Sequence, residues 1–101
     1  MKQINLEIPK DKIADFCRRR QIAEFALFGS VLRDDFRSDS DIDVLVTFAP
    51  EARYSLYDLV FIQDELREIL GREVDLIEKA ALRNPFRRHE ILKTMEIVYA
   101  T

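Results

Sequence analysis

The chain has 101 residues, enough for one small core and an open groove but not for a deep, self-contained substrate pocket. Its 16 Lys plus Arg against 19 Asp plus Glu leave a net charge of −3, which excludes general electrostatic attachment to nucleic acid or to an anionic membrane. One cysteine and one histidine exclude an internal disulfide and a Cys/His zinc site, and no apolar run reaches signal-peptide or membrane-span length, so a single soluble cytoplasmic domain over residues 1–101 is expected.

From Pro9 to Arg20, Ile13, Phe16 and Cys17 recur at helical spacing, and three arginines stand where cations favour a helix C-terminus. A first helix is predicted there. Residues 22–28, rich in strand formers, make a first strand that Gly29-Ser30 stops. Val31 to Asp34 read as a single helical turn, followed by a polar loop to Ser40. A second strand over Asp41–Phe48 puts Ile42, Val44, Val46 and Phe48 on one face and Asp41, Asp43, Leu45 and Thr47 on the other.

Ser55 with Asp58 three residues on is a capping box. It opens a long helix whose stripe of Leu56, Leu59, Val60, Leu66, Ile69 and Leu70 ends at Gly71. Glu73–Glu78 alternates as a third strand with Asp75 turned away from Val74 and Leu76. Asn84-Pro85 opens a last helix to about Lys93, and Glu96–Tyr99 closes as a terminal strand. The fold class expected is α/β (α+β), in the order α-β-α-β-α-β-α-β.

Chemistry concentrates at the second strand. Five aspartates fall between Asp34 and Asp43, and Asp41 and Asp43 share a strand face at i and i+2. Two carboxylates that close repel, and a divalent cation relieves the repulsion, with hard Mg²⁺ the natural match for carboxylate oxygens. If the third strand lies beside the second, Asp75 joins them, and three carboxylates can hold two metals for an in-line displacement at phosphorus. Gly29 allows close backbone approach to a ligand, Ser30 and the following amides can seat phosphates, and Arg33 stands one turn on as a counter-charge.

Gly29-Ser30, ten residues, then Asp41-Ile42-Asp43 resembles the signature of the nucleotidyltransferase superfamily related to DNA polymerase beta. Ser40 before Asp41 and Arg33 after Gly29-Ser30 sharpen the match. Asp75 in a later strand and the small size resemble the minimal nucleotidyltransferase (MNT) group over nearly the whole chain. The pattern departs at Asp34, where relatives often carry glycine. The resemblance implies a small mixed sheet of about four strands flanked by helices, with ATP and Mg²⁺ as cofactors. It implies metal binding and catalysis by Asp41, Asp43 and Asp75, and nucleotide binding by Gly29, Ser30 and Arg33. It further implies AMP transfer to a tyrosine of a HEPN-type ribonuclease toxin, with this chain as antitoxin. A non-catalytic antitoxin that blocks the toxin by binding, and transfer to a small-molecule hydroxyl, are the rival functions.

Other residues read as structure. Asp34, Asp35 and Asp39 belong to a solvated loop, and Arg33 could pair with any of them. Arg18 to Arg20, Arg83, Arg87 and Arg88 are helix-end charges. Cys17 belongs to the core, His89 to the surface, and Tyr54, Tyr57 and Tyr99 to packing. No direct nucleic-acid contact is expected.

Overall fold

The computed structural model describes residues 7–33, 37 and 40–101. Helix α1 (Lys10–Arg19) leads into β1 (Ile22–Phe28), a four-residue 3₁₀ turn (Gly29–Leu32) and β2 (Ile42–Phe48). Helix α2 (Leu56–Leu70), β3 (Val74–Glu78), a second 3₁₀ turn (Lys79–Ala81), α3 (Pro85–Thr94) and β4 (Glu96–Ala100) complete the chain. The expected order stands, with a 3₁₀ turn as its second helical element. That turn begins at Gly29, two residues before the predicted start, because the left-handed φ of +75° at Gly29 reverses the chain at once. The turn at 79–81 has no predicted counterpart, and the predicted loop residues 34–36 and 38–39 lie outside the described residues.

The four strands form one mixed sheet in the order β3-β2-β1-β4. Strand β1 pairs antiparallel with both β2 and β4, while β2 and β3 run parallel. A parallel pair needs a long crossover, which α2 supplies. On one face α1 and α2 close the main core, where Ile13, Phe16 and Cys17 meet Phe25, Leu27, Ile42, Val44, Ile62 and Leu66. Phe16 meets Phe25 edge-on at 6.5 Å between ring centres, a favourable aromatic geometry. On the other face α3 covers a smaller core of Ala26, Phe28, Leu45, Leu82 and Ile91. The aspartate face of β2 is therefore the α3 face, and its apolar floor stops where the carboxylates begin.

Local signals fix the helix ends. The Ser55 hydroxyl accepts from the Asp58 N–H, and the Asp58 carboxylate accepts from the Ser55 N–H at 2.8 Å, closing the capping box. Gly71, at φ +68°, ends α2 and donates its N–H to the Arg67 carbonyl at 2.8 Å. The Asn84 side chain accepts from the N–H groups of Phe86 and Arg87, with Pro85 behind it. Arg19 and Arg20 pair with Glu65 at 2.6 and 2.8 Å, tying the end of α1 to α2.

The stripe expected on α2 needs correction. Ile62 and Leu66 are buried and Ile69 and Leu70 pack beside them, but Leu56 is 80 % and Val60 58 % exposed. At about 100° per residue Leu56 and Val60 lie roughly 120° and 160° around the helix from Ile62, beyond the face the sheet covers. Tyr57, expected to pack, is exposed on that outer side for the same reason. Tyr54 does pack: its ring stacks on Phe48 at 4.1 Å and its hydroxyl donates to the Glu78 carboxylate. Tyr99 packs against the main core. Cys17 is buried, which pushes its thiol up to about 12, and His89 is exposed. Among the described residues no helix is long and apolar enough to cross a membrane.

Candidate active site

The site grows from the end of β1. Phe28 is paired with Asp43 across the antiparallel ladder, and the next residue, Gly29, turns the main chain over the Asp43 carboxylate. A Cβ at position 29 would stand 2.2 Å from Asp43 Oδ2 and 3.2 Å from its Cγ, so the approach is open only to glycine. The Ser30 N–H donates to the Asp43 carboxylate, and the Ser30 hydroxyl reaches the main-chain carbonyl of Asp41 at 3.4 Å. The Gly29–Leu32 turn thus clasps the beginning of β2 rather than opening a long helix.

The parallel register then supplies the third acid. Asp43 is the partner of Asp75, and the Ile42 N–H donates to the Glu73 carbonyl at 2.9 Å, locking β2 to β3 at this end. Paired residues in register point to the same side of a sheet, and Asp41 joins that side by the two-residue period. Asp41 and Asp75 are exposed and Asp43 is half-buried. Burial foremost, then the neighbouring charge of Asp75, holds the Asp43 carboxyl above the usual range, and Asp41 adds to this. The Ser30 N–H and the charge of Arg33 pull the other way. The cluster is an electrostatically loaded one, the condition that a bound cation relieves.

Among the described residues no three acidic, His or Cys side chains are gathered closely enough to cage an ion by themselves. The donor set nevertheless fits Mg²⁺, which prefers oxygen ligands and takes one or two carboxylates together with substrate phosphates and water. Beside the carboxylates, an open, mainly apolar groove of about 380 Å³ runs between the first 3₁₀ turn and α3, lined by Phe28, Gly29, Leu32, Arg33, Glu90, Ile91 and Thr94. A larger cleft of about 510 Å³ lies between α1 and α2 among charged side chains and shares no residue with this site.

All six residues singled out in the sequence, Gly29, Ser30, Arg33, Asp41, Asp43 and Asp75, fall at this end of the β1, β2 and β3 strands. Asp34, Asp35 and Asp39, the other partners considered for Arg33, lie outside the described residues. Sequence reasoning missed Glu90 and Thr94 of α3, which line the groove, and Arg72, which donates to main-chain carbonyls just ahead of Asp41. Nothing in their spacing marks these three, since their role depends on where α3 and the α2-to-β3 turn are placed.

Residues 10–98 match the family model of the nucleotidyltransferase domain. The protein adenylyltransferase MntA of Thermococcus cleftensis is 36 % identical over 80 residues, spanning 77 % of this chain and 74 % of that protein. A candidate protein adenylyltransferase of Methanocaldococcus jannaschii is 39 % identical over 74 residues, spanning 73 % of this chain and 77 % of its own length. Among solved structures, a candidate minimal nucleotidyltransferase superposes with a TM-score of 0.71 at 30 % identity, covering 86 % of each chain. A toxin–antitoxin crystal structure with AMP-PNP shares the fold with a TM-score of 0.74 at 20 % identity, over 93 % of this chain and 75 % of that one.

Proposed function

The chain belongs to the nucleotidyltransferase domain family, and from that premise we propose that it transfers AMP from ATP to a tyrosine hydroxyl of a HEPN-type ribonuclease toxin, acting as that toxin's antitoxin. One observation carries the reading: Asp43 and Asp75 are register partners, Asp41 shares their face, and a glycine turn lies directly on the central carboxylate. Relatives named protein adenylyltransferase, and the likeness in fold to toxin–antitoxin complexes, support the choice of a protein acceptor.

Asp41 and Asp43, with Asp75, would hold Mg²⁺. When bound, Mg²⁺ neutralises the crowded carboxylates and the triphosphate oxygens and stabilises charge at the phosphorus undergoing attack. The chain's own residues do the placing. Gly29 lets phosphate oxygens come against the main chain, and the Ser30 hydroxyl and Arg33 guanidinium orient the outer phosphates. Asp75, exposed at the rim, accepts the proton of the acceptor hydroxyl. The acceptor oxygen bonds to the α-phosphorus, the bond to the bridging oxygen breaks, and pyrophosphate leaves. An open groove on so small a domain implies that the partner's surface completes the acceptor site.

ATP labelled at the α- or the γ-phosphate tests this with purified partner. Label from the α-position should appear on the partner, label from the γ-position should not, and the double variant Asp41→Asn, Asp43→Asn should transfer neither. Absence of α-label on a partner that is nonetheless neutralised would replace transfer by simple occlusion.

A further inference from the structure

We propose that Arg72 is a positioning residue for the carboxylate cluster, its guanidinium holding the segment that delivers Asp41 to the head of β2. The inference rests on the nucleotidyltransferase reading for its consequence, though not for its geometry. Arg72 sits between the Gly71 helix stop and β3, half-buried, and its Nη2 donates to the Ser40 carbonyl at 2.9 Å and to the Arg37 carbonyl. Those two residues are already tied together, because the Ser40 N–H donates to the Arg37 carbonyl and the Arg37 N–H to the Ser40 hydroxyl, each at 3.1 Å. Arg72 therefore grips Arg37 and Ser40 together, two residues that already hold each other.

The grip continues on the far side of Asp41. The next residue along, Ile42, donates its N–H to the carbonyl of Glu73, the neighbour of Arg72, at 2.9 Å. Asp41 is thus bracketed by Arg72 on the residue before it and by Glu73 on the residue after it, while its own carbonyl receives the Ser30 hydroxyl at 3.4 Å. Such bracketing is needed because repulsion among Asp41, Asp43 and Asp75 favours peeling the exposed strand end away from β3. A guanidinium suits the task, since its fixed planar donors can serve two carbonyls at once. Groups that hydrogen-bond the ligating side chains themselves typically change metal affinity by about 10–100-fold when removed, and Arg72, which acts through the main chain, belongs at the low end of that range.

The test compares Arg72→Ala, Arg72→Lys and Arg67→Ala with the unmodified chain. Arg67 is a neighbouring control that pairs with Asp64 at 3.0 Å and Glu73 at 3.3 Å on the exposed side. Amide hydrogen exchange in the metal-free chain should show Ile42 opening at least about 10-fold faster in Arg72→Ala, with Val44 unchanged. Arg72→Lys should be intermediate and Arg67→Ala like the unmodified chain. Calorimetric titration of Mg²⁺ into the chain with AMP-PNP should place the Arg72→Ala midpoint about 10-fold higher. Unchanged Ile42 exchange and an unchanged Mg²⁺ midpoint in Arg72→Ala would overturn the proposal, as would equal changes in Arg67→Ala. If the unmodified chain transfers no label, the proposed function fails, while the exchange comparison still decides the role of Arg72.

Discussion

Replacing Gly29 by alanine separates two physical effects that the structure places at one residue. The first is backbone strain, because φ is +75° and a non-glycine residue in the left-handed region costs about 1–2 kcal/mol. For a domain of this size that lowers the melting temperature by about 4–8 °C per kcal/mol. The second is the clash at 2.2 Å between the new Cβ and Asp43 Oδ2. Restoring an ordinary carbon–oxygen contact requires the carboxylate to retreat by about 1 Å. A displacement of that size among reacting groups costs about 100-fold in rate. Gly71 supplies the control, since it shares the left-handed conformation at φ +68° but a Cβ there would meet nothing within 4 Å. Gly71→Ala is expected to lose comparable stability and keep its transfer rate, whereas Gly29→Ala loses both. The assay is thermal unfolding by circular dichroism, with initial rates of α-label transfer taken well below both melting temperatures. A Gly29→Ala variant that transfers at the unmodified rate would refute the geometric argument, and so would a Gly71→Ala variant impaired to the same degree.

Asp43→Asn should abolish transfer yet stabilise the metal-free fold at neutral pH. The Asp43 carboxyl is raised above its ordinary range by burial and by Asp75, so its charged form opposes folding above the folded-state pKa. The gain in melting temperature should therefore be present at pH 7 and vanish below about pH 4, where the carboxyl is protonated in both states; a gain independent of pH would contradict this origin. Ser55→Ala removes half of the capping box and should cost about 1 kcal/mol of stability with no change in transfer, read by urea unfolding and by rate. Cys17, buried with its thiol pushed up to about 12, should resist alkylation by iodoacetamide at pH 8 in the folded chain and react once urea unfolds it; rapid labelling of the native chain would show that α1 opens.

The chemistry was more legible than the packing. Gly29-Ser30 and Asp41-Ile42-Asp43 announce themselves because a turn that admits a ligand and a strand that repeats carboxylates every second residue are both local patterns. Asp75 could be assigned to the exposed side of β3 from alternation, but its partnership with Asp43 depends on the parallel register, which no local pattern encodes. The outer face of α2 misled for a related reason: Leu56, Tyr57 and Val60 were expected to pack, yet the sheet covers only the arc centred on Ile62 and Leu66. Arg72 was invisible because its partners are main-chain carbonyls more than thirty positions earlier in the chain, and such bonds leave no trace in residue type.

The measurement that bears most directly on the account takes the neutralised partner, separates it from this chain under denaturing conditions, refolds it, and determines both its ribonuclease activity and the mass of its tyrosine-containing peptides. Covalent transfer predicts a partner that stays inactive and carries AMP on tyrosine, with neither outcome when Asp41→Asn, Asp43→Asn replaces the unmodified chain. A separated partner that is unmodified and fully active would contradict the account and leave steric occlusion in place of transfer.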